Sequence, residues 1–209
     1  MKTVLIVDDH PVMRLVLRTQ LASVLGIGTI LEAGNGPAAV ELTKTAAPDL
    51  VVLDLDLPGT GGMELIPRLK SIHPTIRILV FSGQNPAVYG PRVMALAADG
   101  YVSKTEDISE ILRAVEMVLA GYRVFPEAVT SSASNVDGKG DEARLRELSN
   151  KEILVLGLLV KGHSNQAIAE MLHISNKTVS SHKINLMKKL RTSSVVELAD
   201  LAKRFHIAP

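Results

Sequence analysis
Five short runs of β-branched and large aliphatic residues punctuate the first 125 residues, and a stretch with helical spacing separates each from the next. Val4–Val7, Thr29–Leu31, Leu50–Leu53, Ile78–Phe81 and Tyr101–Val102 carry mostly apolar side chains at consecutive rather than alternate positions. A strand that is apolar on both faces must be covered on both, which is the situation of a parallel sheet between two helical layers. The intervening helices show the matching stripe, clearest at Ile108, Ile111, Leu112, Val115, Val118 and Leu119. Residues 1–125 are therefore expected to form an α/β domain on a doubly wound, five-stranded parallel sheet, in which ligands gather at the strand C-termini.

The pattern breaks at Pro126. Between residues 126 and 146, Ser131, Ser132, Ser134, Asn135, Asp137, Gly138 and Gly140 crowd together. Such a composition buries little, and the span is expected to be a linker. Residues 147–209 then show only helical periodicity, with N-caps offered by Ser149 ahead of Glu152, by Ser164, by Ser175 or Asn176, and by Ser193 or Ser194. The expectation there is a second, smaller all-α module of four helices.

Charge is divided between these parts. Residues 1–125 hold 11 Lys and Arg against 13 Asp and Glu, whereas residues 126–209 hold 12 against 9. The chain has no cysteine, which excludes disulfides and thiolate metal sites and fits a reducing compartment. No apolar run approaches the roughly 18 residues of a spanning helix, and the first run stops at Asp8-Asp9. No signal peptide and no membrane partner are expected, and the cytoplasm is the expected location.

The chemistry is concentrated at strand ends. Asp8 and Asp9 close the first strand, Asp54 the third and Ser82 the fourth, and Lys104 follows the fifth. A single Asp in such a place is more often a helix cap or a turn residue. Acids from two strands side by side, joined by a hydroxyl and an ammonium, are harder to explain that way. Crowded carboxylates raise each other's proton affinity, and an oxygen-loving divalent cation, Mg2+ above all, relieves the repulsion. Ser82 and Lys104 suit the oxygens of a phosphoryl group. Asp54 is placed to be the nucleophile, yielding an acyl phosphate.

The motifs VLIVDDHP, LVVLDLDLPGTGGMEL, VFSG and DGYVSK resemble the receiver domains of two-component response regulators, over residues 2–122. That resemblance implies a flavodoxin-like fold with Asp54 as phosphoacceptor. It also implies Asp9 and Asp54 as metal ligands, Asp8 as their support and the Asp56 backbone carbonyl as a further ligand. Ser82 and Tyr101 become the switch pair, the ring moving inward, and Lys104 pairs with the phosphoryl group. Two departures stand out. Thr105 follows the lysine where receivers often have proline. Pro86, Gly90 and Pro91 are expected to interrupt the fourth helix or confine it to a start near Pro91.

Between Met171 and Val196 stand Lys177, Lys183, Lys188, Lys189 and Arg191 without a single acid. A short helix over Ala167–Leu172, a turn at His173-Ile174-Ser175 and a second helix over Asn176–Leu190 make a helix-turn-helix layout. Val179, Leu186 and Leu190 share one face of the second helix. Lys177, Ser180, Ser181, Ile184 and Lys188 surround the other, toward solvent or a groove.

The stretch GHSNQAIAEMLHISNKTVSSHKINLMKKL resembles LuxR-type DNA-binding domains, and with the receiver it points to the NarL/FixJ family of response regulators. The closing segment is similar to virulence regulators within that family. The resemblance implies a transcription regulator rather than an enzyme, with Asn176–Leu190 in the major groove of promoter DNA. Ser180, Ser181 and Ile184 come nearest the base edges, and Lys177, Thr178, Lys183 and Lys188 are candidates for the backbone. Ile184 can offer only apolar contact, for example to a thymine methyl. His182 is expected to pack or cap rather than read bases. The last helix brings Val195, Leu198, Ala199, Leu201 and Ala202 near one face, a dimer surface or simply core. Expected partners are a sensor histidine kinase, double-stranded promoter DNA, a second copy on phosphorylation, and RNA polymerase.

Two other functions compete. The hhhDxD pattern at Leu50–Asp56 resembles the nucleophile motif of haloacid-dehalogenase-type phosphatases, but its strand is third rather than first and no cap segment is visible. A receiver that works without phosphorylation is the other, and the complete acid, Ser and Lys set argues against it.

Overall fold
The structure, a computed structural model, describes residues 1–58, 61–130 and 140–207. Five parallel strands, β1 (Lys2–Val7), β2 (Ile27–Ala33), β3 (Leu50–Leu53), β4 (Arg77–Ser82) and β5 (Gly100–Ser103), lie in the order β2-β1-β3-β4-β5. This is the doubly wound order of the flavodoxin-like fold, with its reversal of winding between β1 and β3. Helices α1 (Pro11–Leu21), α2 (Gly36–Ala46), α3 (Gly62–Ile72), α4 (Pro86–Ala95) and α5 (Ile108–Ala120) connect and follow the strands.

Strand residues alternate between two apolar layers, as the period of 2 requires. Val4, Ile6, Leu50, Val52, Leu79, Phe81 and Val102 join α1 and α5 on one face. Leu5, Val7, Val51, Leu53, Ile78, Val80 and Tyr101 join α2, α3 and α4 on the other. β2, at the edge, is the strand most open to solvent.

Helix α4 departs from expectation. It starts at Pro86 and carries Pro91 inside it, with the Asn85 side chain accepting from the Ala87 N–H as its cap. The residue before a proline is pushed out of the α region largely by its Cβ, and Gly90 has none. Gly90 has a second use: a Cβ there would overlap Val129, whose buried side chain docks helix α6 (Glu127–Thr130) on α4. All described peptide bonds are trans, including Lys104–Thr105.

The expected linker is helical at both of its described ends. After α6, α7 (Asp141–Arg146) buries Leu145 completely, while Ser131, Ser132, Ser134, Asn135, Asp137 and Gly138 lie outside the described residues. Four further helices follow: α8 (Asn150–Val160), α9 (Asn165–Leu172), α10 (Asn176–Leu190) and α11 (Val195–Arg204). Their caps are Ser149, Ser164, Ser175 and Ser194, each accepting from a backbone N–H three residues on. Ser149 and Glu152 form a full capping box. The apolar core of these helices is continuous with the sheet layer that holds Tyr101. No helix among the described residues is long and apolar enough to cross a membrane.

Candidate phosphoacceptor pocket and nucleic-acid interface
Strand pairing delivers the acids to one place. Val7 pairs with Leu53, and the Asp54 N–H donates to the Val7 carbonyl at 2.8 Å, so the residues after both strands emerge together. Asp8 and Asp54 are almost fully buried, at 1% and 2% exposure. Ser82 pairs with Ser103, and the Lys104 N–H donates to the Ser82 carbonyl, which turns the lysine back over the sheet edge. Its Nζ donates to Asp8 Oδ2 and Asp54 Oδ2, both at 2.7 Å. Gly62 lets α3 start directly against this loop, since a Cβ there would overlap the Asp54 carbonyl.

Burial pushes the Asp54 carboxyl above its ordinary range, and Lys104 offsets this only in part while Asp8 adds to it. Burial also works against the Lys104 charge, but the two carboxylates outweigh it and hold its pKa up.

The donor set fits a hard divalent cation. One ligand atom each from Asp8, Asp9, His10 and Asp54 lies within 4.8 Å of the others. Asp9 Oδ1 is enclosed and receives no well-directed hydrogen bond, although the His10 ring nitrogen stands 2.8 Å away. An unsatisfied anionic oxygen beside two further carboxylates is what such an ion coordinates.

Ser82 is fully buried and its Oγ accepts from the Gln84 N–H at 3.3 Å. The Tyr101 ring lies inside, at 1% exposure, with its hydroxyl donating to the Gln84 carbonyl at 2.6 Å. The Gln84 amide donates to both Asp56 carboxylate oxygens, at 2.8 and 2.7 Å. Gln84 thus joins both proposed switch residues to Asp56. His10 and Gln84 were missed as pocket residues; the only signal for either was its place in a strand-end motif, one after Asp8-Asp9 and two after Ser82.

In the helical module α10 buries Val179, Leu186 and Leu190 and turns Lys177, Ser181, Ile184 and Lys188 outward, Ile184 at 66% exposure. Thr178, Ser180, His182 and Lys183 are half-buried. Ser180 leans toward α9, where Asn165 Nδ2 donates to its Oγ at 3.4 Å. Lys189 has a compensating acid on α8: its ammonium donates to Glu152 Oε2 at 2.7 Å.

The two alternatives for α11, dimer surface or core, divide between its residues, and Leu198 and Ala202 drop out as dimer candidates. Leu198 and Ala202 are wholly buried in the core of the module, because α11 packs on α8 with that face. Among the apolar residues of α11, Val195 and Val196 are exposed and Ala199 half-buried.

Residues 4–116 match the family model "Response regulator receiver domain", and residues 146–202 match "Bacterial regulatory proteins, luxR family". The chain is a response regulator of the NarL/FixJ family. Among this family's members, it is 42% identical to "Virulence factors putative positive transcription regulator BvgA" of Bordetella pertussis, over 98% of each chain. It is 34% identical to "DNA-binding transcriptional activator EvgA" of Escherichia coli K12, over 96% of this chain and 97% of that one. RcsB of Salmonella enterica serovar Typhimurium, bound to promoter rprA in the presence of phosphomimetic BeF3-, superposes with a TM-score of 0.78 at 28% identity, over 97% of this chain and 98% of that one. Another structure of the Salmonella RcsB response regulator, from work on conformational dynamism for DNA interaction, reaches only 0.60 at 26% identity over 98% and 100%. This response regulator is accordingly a transcription regulator with a receiver and a LuxR-type DNA-binding domain, not an enzyme.

Proposed function
We propose that a phosphoryl group carried on Asp54 controls how this regulator binds promoter DNA. The observation that carries the reading is the Lys104 ammonium held 2.7 Å from both Asp8 and Asp54. Asp54 attacks the phosphorus of a donor, a sensor histidine kinase or a small acyl phosphate. The new P–O bond forms as the bond to the leaving group breaks. Lys104 then exchanges its bond to Asp54 for one to the phosphoryl oxygens, and Ser82 offers its hydroxyl to another.

Asp9, Asp54 and the Asp56 backbone carbonyl, supported by Asp8, would hold Mg2+. Bound there, the ion supplies positive charge against the oxygens of the transferred group. Tyr101 and Ser82 form the switch. The α10 surface reads DNA, with Ser181, Ile184 and Ser180 at the bases and Lys177, Thr178, Lys183 and Lys188 at phosphates. Pairing of two copies through the outer side of α11 would match two half-sites. RNA polymerase and a cytoplasmic location complete the reading.

The arrangement of the domains scores 0.78 and 0.79 against promoter-bound RcsB with BeF3- but 0.59 and 0.61 against other DNA-bound RcsB structures, so this likeness, with the inward Tyr101 ring, favours taking this as the phosphoryl-activated, DNA-reading state. The test is labelling with radioactive acetyl phosphate and Mg2+. The wild type acquires a hydroxylamine-labile label and Asp54→Asn does not. A label that survives in Asp54→Asn refutes the assignment.

A further inference from the structure
We propose that Arg92 of the receiver is a clamp that holds the DNA-binding domain in its reading orientation, so that the receiver here presents the recognition helix rather than masking it. The proposal rests on the DNA-reading assignment above.

Arg92 lies on α4 and spends its whole guanidinium. Nε donates to the Val88 carbonyl of its own helix at 3.1 Å. Nη1 donates to the Leu148 carbonyl at 2.6 Å and to Asn150 Oδ1 at 3.1 Å. Nη2 donates to the carbonyls of Leu145 at 2.8 Å and Arg146 at 3.2 Å. All four acceptors outside α4 belong to the end of α7 and the turn into α8. The Leu145 and Arg146 carbonyls lie at the C-terminal end of α7, where the negative end of its dipole falls, and Leu145 also accepts from the Leu148 N–H at 3.3 Å. A rigid fork of donors meets them as a lysine's single ammonium could not.

The turn gripped by Arg92 also holds the recognition helix. Lys189 of α10 donates to the Glu147 carbonyl at 3.2 Å and to Glu152 in the first turn of α8, whose carboxylate accepts from the Ser149 N–H of the same turn. Arg204 of α11 reaches Asp141 of α7 at 3.1 Å. Force on α4 therefore passes through one turn to the helices that face DNA.

Among the described residues, the other polar ties between the domains are weaker. Lys151 pairs with Glu64 at the surface, Lys161 stands 3.5 Å from Asp56 Oδ1, and the Asn85 N–H donates to the His206 carbonyl at 3.2 Å. Exposed ion pairs of this kind contribute little. The apolar contact between the domains is broken in part by a cleft of about 500 Å³, with Leu57 and Met63 on one side and Ile153 and Leu154 on the other. Polar ties, Arg92 first among them, therefore have more say over orientation than in a closely packed interface. The outer face of α10 stays open in this arrangement, with Lys177, Ser181, Ile184 and Lys188 exposed, as a presenting role requires and a masking role does not.

The test uses the full chain. A duplex is selected from random sequence with the wild type in beryllofluoride, and its affinity for wild type and Arg92→Met is measured by fluorescence anisotropy. Arg92→Met should label with acetyl phosphate at the wild-type rate yet bind the duplex at least tenfold more weakly. Because the chain has no cysteine, Glu64→Cys with Lys151→Cys can be joined by a short bis-maleimide to hold the domains together without Arg92. Cross-linking this pair in the Arg92→Met background should restore affinity, and in the otherwise wild-type background should preserve it. Unchanged or tighter binding by Arg92→Met overturns the clamp. So does a loss that cross-linking fails to restore, or a loss of binding when the otherwise wild-type chain is cross-linked. If the wild type itself selects no duplex, the DNA-reading assignment fails instead.

Discussion

The Lys104 ammonium stands 2.7 Å from Asp54 Oδ2, although the strands they follow, β5 and β3, are separated by β4. A long flexible side chain spans a strand that no short one could cross. The contact couples the two ends of the pocket, and it also neutralises part of a buried acidic pair.

Lys104→Met removes that neutralisation. Asp8 and Asp54 are left facing each other with almost no solvent, so the folded state should lose about 3 kcal/mol at neutral pH in urea unfolding. Labelling by acetyl phosphate should slow on the order of a hundredfold, the usual effect of removing one preorganised charge partner. Millimolar Mg2+ should recover more stability in the variant than in wild type, since a cation takes over part of the lost charge. Equal Mg2+ effects on both proteins would count against a metal at these acids.

Tyr101→Phe deletes the hydroxyl that donates to the Gln84 carbonyl at 2.6 Å. The ring still fits, but a buried carbonyl loses its donor. A loss of about 1–2 kcal/mol is expected, read as a lower midpoint in urea. Wild-type stability in this variant would mean that Gln84 finds another donor.

Glu152 makes the DNA-binding module sensitive to acid. Burial raises its pKa, but the hydrogen bonds from Lys189 and from both the backbone and side chain of Ser149 outweigh this and hold it below the ordinary 4.5. A carboxyl with a depressed folded pKa stabilises the fold above its unfolded value, and that contribution is lost as pH falls through the folded one. Stability of the wild type should fall below about pH 4.5 by on the order of 1 kcal/mol more than that of Glu152→Gln. Parallel pH profiles for the two proteins would show that the cap does not titrate with folding.

Two neighbouring lysines on α10 should behave differently. Lys188 is exposed, so Lys188→Ala should leave stability unchanged and reduce the slope of log affinity against log salt by about 1. Lys189 is partly exposed and bonded to Glu152 and to the Glu147 carbonyl. Lys189→Ala should cost about 1 kcal/mol of stability, with the salt slope retained. Anisotropy titrations between roughly 50 and 200 mM salt distinguish the two.

Hydrophobic period and strand-end polarity alone determine a good deal of this protein. The consecutive apolar residues of Leu50–Leu53 imply a strand covered on both faces, and the placement of Asp8, Asp9, Asp54, Ser82 and Lys104 after strands implies one shared edge, because both are local properties of the chain. The serine caps of α8, α9, α10 and α11 were legible for the same reason, each depending on residues three apart. What stayed hidden depends on partners distant in sequence. Arg92 looks like any helical arginine until the end of α7 brings its carbonyls, Lys189 looks like a spare cation until Glu152 faces it, and Leu198 could meet a second copy or the core until α8 covers it. Helix α4 could run through Pro91 because Gly90 leaves room both for the proline and for Val129 on α6. Side-chain pairing across tens of residues is decided by packing geometry, which no local pattern encodes.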